Sequence, residues 1–180
     1  MKKFPLPVSG ISIGSVETDL GWLSFAVSPK DLKECRFMFK DRENAVETMK
    51  KALSADDCET DTEITGKWDK LFKNFFSGKA KDFGSIPLDT TSWTDFQKKV
   101  YGAVTSIPYG RTASYGTIAS YLGNEKASRA VGNALRNNPV PPVVPCHRVI
   151  ASDRDLCGFS AVGGVDLKLR LLELEKNNSR

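Results

Sequence analysis

Two short helical patterns follow each other closely between residues 114 and 137, and this restricts the possible fold more than any other feature of the chain. The first pattern spans residues 114–122 and ends at Gly123. Asn124 can cap a second helix over residues 125–137, which Pro139 ends. Two helices joined by a tight Gly-Asn turn predict a helix-turn-helix.

The second helix of this pair has two faces of different character. Its apolar positions are Ala127, Ala130, Val131, Ala134 and Leu135. Its polar positions are Arg129, Gly132, Asn133 and Arg136, three and four residues apart. The pattern fits a helix that approaches a DNA groove closely. It also fits an ordinary helical hairpin with a solvated polar face.

Positive charge is concentrated in the half of the chain that contains the helix pair. Residues 91–180 carry 12 Lys and Arg against 7 Asp and Glu, whereas residues 1–90 carry 14 against 15. Such an excess favours a polyanionic partner, although modest excesses also occur on ordinary protein surfaces.

The first half of the chain predicts a small mixed unit. Strand-like alternation over residues 18–28 and 32–40 surrounds Pro29-Lys30-Asp31, which is typical of a hairpin. Helical spacing follows over residues 44–53 and 68–76. Residues 79–91 are rich in Gly, Pro, Ser and Asp, so we expect a linker there and two domains, 1–86 and 87–180.

A third helix is expected beyond the linker, with Ser92 as its cap and Pro108-Tyr109-Gly110 as its end. Its apolar positions are Phe96, Val100, Ala103, Val104 and Ile107. The predicted fold class is therefore α/β of the α+β type, with a mixed N-terminal domain and a mainly helical C-terminal domain.

Composition excludes several classes of protein. With 40% hydrophobic and 27% charged residues, the chain is neither disordered nor collagen-like. Its four cysteines are too scattered for a secreted disulfide scaffold. Prolines and glycines interrupt residues 1–15, so we expect no signal peptide or membrane span there. The expected location is the cytoplasm, or the nucleus of a eukaryotic host.

The only histidine, His147, directly follows Cys146 in the Pro- and Val-rich segment 139–150. A thiol is nucleophilic as the thiolate, and a nearby cation or imidazole lowers its pKa. His147 and Arg148 could supply those groups. Adjacent side chains of an extended segment point to opposite sides, so His147 would need a bridging water or a turn to reach the thiol. The alternative interpretation is a buried structural cysteine beside a surface histidine.

Residues 144–150, Val-Pro-Cys-His-Arg-Val-Ile, closely resemble the active-site signature of the O6-alkylguanine-DNA alkyltransferases, also called methylated-DNA–protein-cysteine methyltransferases. The resemblance runs over residues 88–175, roughly half of the chain. It includes Ile107-Pro108-Tyr109-Gly110, Ala113-Ser114-Tyr115 and Arg129-Ala130-Val131-Gly132. It implies a ribonuclease-H-like N-terminal domain and a C-terminal domain with a helix-turn-helix of the winged-helix-like kind.

The resemblance implies DNA repair by direct, irreversible alkyl transfer. Cys146 is similar to the family's acceptor, which takes the alkyl group from O6 of guanine and is consumed as a thioether. Whether O4-alkylthymine is also a substrate stays open. His147 resembles the water-mediated base, oriented by Glu175, and Tyr115 resembles the residue that hydrogen-bonds the extruded guanine. The implied enzyme is a single-turnover methylated-DNA-[protein]-cysteine S-methyltransferase without a cofactor.

The implied partner is double-stranded DNA, bound through the minor groove by a monomer. Arg129 resembles the finger that replaces the extruded base. The resemblance also implies DNA contacts for Tyr115, Gly116, Asn124 and Ser152, with Arg136 adding to the positive field.

A guanine pocket is implied as well, formed by Asn138, Pro141, Val149, Phe159 and Ser160. Asn138 would orient the active-site turn, and the carbonyls of Cys146 and Val149 would face the guanine amino group. The sequence departs from the family pattern at two points. Phe159 stands where tyrosine is common, and Ala161-Val162 lengthens the loop before Gly163-Gly164.

No metal site is expected, because Cys35 and Cys58 cannot complete a zinc cage without further ligands. Two other functions stay open. One is a lesion-binding protein of the alkyltransferase-like kind, against which the presence of Cys146 argues. The other is a cysteine hydrolase using Cys146 and His147, which would need turnover and an oxyanion hole.

Overall fold

A computed structural model describes residues 10–54, 62–153, 156 and 159–179 of the chain. Cys58 and Cys157 lie outside the described residues. Three strands and two helices come first, followed by a helical part with two very short strands. The elements are β1 (Ser12–Thr18), β2 (Gly21–Val27), β3 (Leu32–Phe39), α1 (Arg42–Leu53), α2 (Thr62–Phe76), α3 (Asp95–Thr105), β4 (Ala113–Ser114), α4 (Tyr115–Tyr121), α5 (Ser128–Arg136), β5 (Val149–Ile150) and α6 (Gly164–Asn177), with 3-10 turns at Glu125–Ala127 and Cys146–Arg148. The predicted mixed α/β class is confirmed.

The N-terminal sheet is antiparallel in the order β1-β2-β3. The predicted hairpin is confirmed, since Val27 pairs with Leu32 across the turn, and the Ser28 hydroxyl donates to the Asp31 carboxylate at 2.6 Å. Strand β1 was not predicted. Its Gly14 lies beneath the ring of Phe25 on β2, so close that an added Cβ would overlap that ring.

Helices cover both faces of this sheet. The aromatic face of α2 packs on one side, where the rings of Phe25 and Phe72 are 5.1 Å apart. Helix α1 covers the other side, with Met49 against Ile13 and Ala26. The larger of the two apolar clusters continues without a break into α3, α5 and α6. The two halves of the chain therefore share one core, and the division at residues 86 and 87 stays a proposal.

Residues 79–91 form no helix or strand, apart from an isolated bridge between Leu88 and Leu32 of β3. The helix that follows begins later than expected. Thr94, not Ser92, is its cap, because the Thr94 hydroxyl accepts from the Gln97 amide at 3.2 Å and the Gln97 side chain accepts from the Thr94 amide at 2.9 Å. This reciprocal arrangement is a capping box. Phe96 is 38% exposed, so its predicted place on the buried face was wrong.

The predicted helix-turn-helix geometry is present in α4 and α5. Ser114 caps α4, and Gly123 adopts a φ of +78°, which favours glycine at the end of that helix. Asn124 caps as predicted, but the element it caps is the 3-10 turn Glu125–Ala127, and the α-helix begins only at Ser128. Ala130 is exposed, whereas the apolar pattern placed it on the buried face.

Helix α5 is held from the side by α3. The Tyr101 hydroxyl donates to the carbonyl of Ala134 at 2.9 Å. Burial raises the pKa of Tyr101 to about 12, so this group stays a donor over the physiological pH range. Among the described helices, no segment has the length and apolar character needed to cross a membrane.

Candidate active site

Cys146 sits on a tight turn rather than on an extended segment. Residues Cys146–Arg148 form a 3-10 turn in which the Val149 amide donates to the Cys146 carbonyl. The turn changes the side-chain directions, so the prediction of opposite-facing Cys146 and His147 side chains does not apply. Cys146 is 7% exposed and His147 is fully buried, which excludes the interpretation of His147 as a surface residue.

Asn138 contacts the nucleophile directly. Its Nδ2 lies 3.1 Å from the Cys146 Sγ and donates to the Val144 carbonyl at 2.8 Å, while its Oδ1 accepts from the Val140 amide at 3.1 Å. The side chain thus ties the end of α5 to the cysteine turn.

Glu175 is fully buried on α6 and accepts hydrogen bonds from two other segments, the cysteine turn and the loop at Gly110. Its Oε1 lies 2.7 Å from the His147 Nε2. The Arg148 guanidinium donates to both of its oxygens, at 2.9 to 3.1 Å, and the Gly110 amide donates to Oε2 at 2.9 Å. Arg148 also donates to the Ile107 carbonyl at 2.6 Å. The structure therefore brings together His147 and Glu175, the pair that the family resemblance implied.

The ionisation of this cluster follows from its contacts. Burial by itself raises the pKa of Glu175, but hydrogen bonds from His147, Arg148 and Gly110 outweigh it and hold the pKa below its ordinary value. Burial lowers the pKa of His147, although Glu175 opposes the shift. The imidazole is consequently neutral at neutral pH. Because the ionised carboxylate only accepts, the proton sits on Nε2 and leaves Nδ1 as the basic nitrogen.

The Nδ1 atom of His147 is buried and has no hydrogen-bond partner among the described residues. A buried unpaired acceptor costs free energy, and a catalytic role is one reason why a protein keeps such an atom. The arrangement therefore presents a base beside a buried thiol.

Burial raises the pKa of Cys146, and the Asn138 hydrogen bond, the Lys168 ammonium and two backbone amides only partly offset the shift. The expectation that Arg148 would help to ionise the thiol is not met, because its guanidinium is engaged by Glu175. The thiol is therefore protonated in the resting protein.

Lys168 is a fully buried cation on α6, near the cysteine turn. Its Nζ donates to the Val149 carbonyl at 2.7 Å and lies 5.9 Å from the centre of the Tyr115 ring. The Tyr115 ring in turn lies close to Gly132 of α5, where an added Cβ would be 3.8 Å away. Lys168 thus joins the turn that carries Cys146 to the start of α4.

A cavity of about 330 Å³ opens at Cys146. Four of the five predicted pocket residues line it, namely Asn138, Pro141, Phe159 and Ser160. Val149 lies outside its lining, fully buried, with its carbonyl bound to Lys168. The Ser160 hydroxyl donates to the Arg136 carbonyl at 2.7 Å, which fixes the loop after the signature against α5. The opposite wall is formed by β3, which the sequence did not indicate.

The predicted DNA contacts occupy the helix-turn-helix and its surroundings. Arg129, Arg136, Asn124 and Ser152 are exposed, and Gly116 is partly exposed at the start of α4. Asn124 uses its side-chain oxygen to cap the turn at Lys126.

The contacts of Arg148, Gly110 and Lys168 in this cluster were not predicted from the sequence. Arg148 and Gly110 lie within the motifs that resemble the alkyltransferase family, which indicated that they are near the site. Only the fold shows that both donate to Glu175. Lys168 could have been suspected from its place on the buried face of α6, one helical turn before Leu171 and two before Glu175. Among the described residues, no group of three or more His, Cys, Asp or Glu is arranged to hold a metal ion.

A helix-turn-helix beside a buried cysteine, with a His–Glu pair behind it, defines a DNA-binding protein with a thiol nucleophile. Residues 95–177 match a family described as 6-O-methylguanine DNA methyltransferase, DNA binding domain. The methylated-DNA–protein-cysteine methyltransferase of Methanosarcina acetivorans is 37% identical over 159 residues, 88% of this chain and 94% of that protein. The chain belongs to this family, as the signature predicted.

Other relatives give the same family over a shorter length. The protein of that name from Haemophilus influenzae is 42% identical over 105 residues, which cover 58% of this chain and 57% of that protein. Among solved structures, O6-methylguanine methyltransferase of Mycobacterium tuberculosis matches with a TM-score of 0.76 at 33% identity, covering 94% of this chain and 95% of that one. The same organism's OGT in complex with DNA matches with a TM-score of 0.75 at 32% identity.

Proposed function

We propose that this protein repairs alkylated DNA by moving the alkyl group from O6 of guanine to the Sγ of Cys146. The observation that supports it most is the buried Cys146 at a base-sized cavity, next to a neutral His147 held by Glu175. The new S–C bond forms as the C–O6 bond breaks, and the electron pair of the broken bond stays with the guanine. The thioether has no ready leaving group, so each molecule acts once.

The proton path follows from the tautomer of His147. The thiol proton passes to the His147 Nδ1 through a water molecule, and the imidazolium that forms is stabilised by the carboxylate of Glu175. The same proton can then neutralise the departing guanine. Since burial keeps the thiol protonated at rest, the thiolate forms when substrate fills the cavity, which limits reactions with other electrophiles.

Access to Cys146 requires that the damaged base leave the duplex. Cys146 is 7% exposed at the base of its cavity, and a stacked base cannot bring its O6 substituent there. Arg129, exposed on α5, would take the place of the extruded base, with the helix in the minor groove. Tyr115, Gly116, Asn124, Arg136 and Ser152 would bind the DNA around it.

The protein would act as a monomer, as the resemblance to the family implies. Its place of action would be the cytoplasm, or the nucleus of a eukaryotic host, where genomic DNA is found. Sedimentation of the protein with and without a duplex would test the stoichiometry.

The test is the intact mass of the protein after incubation with a duplex that contains O6-methylguanine. We expect a gain of one methyl group per molecule, located in the Cys146 peptide, and no further turnover. Cys146→Ala should lose transfer and keep DNA binding. Cys35→Ala is the matched control, because Cys35 is also buried and lines the same cavity, and it should still accept the methyl group.

The outcomes separate the three functions considered. Repeated turnover, or methyl transfer by Cys146→Ala, would refute the proposal, and turnover with release of a product would favour a cysteine hydrolase. Tight binding of the lesion without any mass gain in the unmodified protein would favour a lesion-binding protein.

A further inference from the structure

Strand β3 of the N-terminal sheet forms one wall of the cavity at Cys146. Glu34, Cys35, Arg36 and Phe37 line it together with the segment that carries the nucleophile. The other wall comes from the end of α5 and the loop at Phe159 to Val162. Part of the substrate space is therefore defined by residues outside the helix-turn-helix domain.

The wall is fixed to the active-site segment by a backbone hydrogen bond. The Cys35 amide donates to the Pro139 carbonyl at 2.8 Å. Pro139 directly follows Asn138, whose side-chain Nδ2 contacts the Cys146 Sγ. The hydrogen bond from Cys35 to Pro139 and the contact between Asn138 and Sγ connect β3 to the nucleophile. The distance between this wall and Sγ is therefore well defined.

Alternation along β3 gives the wall two kinds of residue. Cys35 and Phe37 are 3% and 2% exposed and point into the core, so Glu34 and Arg36 share the other face of the strand. Their side chains pair, with the Arg36 Nη2 at 2.5 Å from the Glu34 Oε1.

The ion pair is only partly solvated. The side chain of Arg36 is 40% exposed and that of Glu34 is 19% exposed. The Nε of Arg36 is buried and has no hydrogen-bond partner among the residues described. The guanidinium is therefore partly packed against its surroundings and partly open to solvent, and the pair forms a bulky, nearly neutral part of the cavity rim.

We propose that the Glu34–Arg36 pair determines which alkyl groups the protein accepts, by limiting the space at the rim of the cavity that Cys146 lines. The inference rests on the proposed alkyl transfer and assigns the pair a role in specificity rather than in the chemistry. A cavity of about 330 Å³ is at the lower end of the range of ligand pockets, roughly 300–1,000 Å³, so loss of one long side chain changes it appreciably.

The experiment compares two duplexes of identical sequence, one with O6-methylguanine and one with O6-benzylguanine. Single-turnover rate constants are measured at saturating protein, and the ratio of benzyl to methyl transfer is the readout, since changes in DNA affinity cancel in it. We expect Arg36→Ala and Glu34→Ala to raise this ratio by about tenfold, the scale on which a small change in pocket space alters selectivity.

The matched control is Lys51→Ala, which also removes one partner of an ion pair in the N-terminal half. That pair, Lys51 with Glu47 on α1, is 73% and 59% exposed and lies away from the cavity. The ratio of benzyl to methyl transfer of Lys51→Ala should therefore equal that of the unmodified protein. Thermal unfolding is recorded for every variant. If Arg36→Ala does not unfold cooperatively, Arg36→Gln, which shortens the side chain but keeps it polar, decides instead.

An unchanged ratio in both wall variants, or an equal fall of both rates, would overturn the proposal even if methyl transfer persists. A rise in the ratio in Lys51→Ala as well would also overturn it. The absence of methyl transfer in the unmodified protein would refute the proposed function instead, so the two failures are distinct.

Discussion

Glu175→Gln tests the buried cluster behind the nucleophile most directly. The substitution keeps the size of the side chain and removes its charge. Arg148 is 5% exposed and would be left as a buried cation without a counter-ion. Removing one partner of a buried ion pair costs about 3–5 kcal/mol. For a chain of this length, each kcal/mol lowers Tm by roughly 2–4 °C, so we expect a fall of roughly 6–20 °C.

The same substitution should slow alkyl transfer. Without the carboxylate, the imidazolium that forms on His147 loses its stabilising charge. General base catalysis contributes about 10²-fold or more, and the rate should fall by an amount on that order. DNA affinity should hardly change, because Glu175 is fully buried and cannot touch DNA.

The assay combines thermal unfolding, single-turnover transfer and DNA binding of one variant pair. Glu173→Gln is the control, since Glu173 lies on the same helix and is exposed. A Tm of Glu175→Gln equal to that of Glu173→Gln would show that the carboxylate does not balance Arg148. An unchanged transfer rate would show that it does not act through His147.

The pH dependence of stability is a second test of the ionised state of Glu175 in the folded protein. The folded-state pKa of Glu175 is lowered, so the unfolded chain binds protons more readily. The stabilisation is thus fully present above the ordinary value of 4.5 and is lost as the pH falls through the lowered pKa. Tm should fall in this acidic range by less in Glu175→Gln than in the unmodified protein. Parallel Tm curves for the two would contradict the assignment.

Three further results are expected. Arg129→Ala should slow single-turnover transfer from a fully paired duplex more than from a mismatched or single-stranded substrate, because less stacking must be broken in those; an equal defect on all three would make Arg129 an ordinary cationic contact. Since burial raises the pKa of Cys146, its reactivity with a small thiol reagent should rise as the pH increases from neutral to alkaline, and a rate independent of pH there would mean a preformed thiolate. Gly14→Ala should lower stability by about 1–3 kcal/mol through overlap with Phe25, whereas Gly66→Ala, with open space around its added Cβ, should not, and equal Tm values for the two would refute the packing argument.

Local signals predicted most of the fold. Capping residues and glycine turns marked the helices well, since their effects act within a few residues of the chain. Strand β1 was missed because its pattern is interrupted by Gly14, which is explained only by the ring of Phe25 on the neighbouring strand. The choice between Ser92 and Thr94 as a cap depended on the reciprocal bond to Gln97, which spacing alone does not decide between two hydroxyl residues.

Only part of the site could be predicted, because many of its contacts join residues that are far apart in the sequence. Cys146 and His147 are adjacent in sequence, and Glu175 was implied by the resemblance to the alkyltransferase family. The contacts of Arg148 with Glu175 and of Cys35 with Pro139 join residues far apart in the chain. No periodicity predicts such pairs, because they depend on how the finished elements pack together.

Helix α5 carries the exposed Arg129 in its first turn, and Asn138, two residues beyond its last residue, contacts the thiol. Tyr101 fixes the helix between them through its bond to Ala134. Insertion or deletion of a single residue between Arg129 and Asn138 would rotate Arg129 relative to Asn138 by about 100° and shift it along the helix axis by about 1.5 Å. Substitutions on the exposed face of α5 leave this spacing intact. In the evolution of such a chain, we therefore expect the length of this helix to be far less variable than its surface residues.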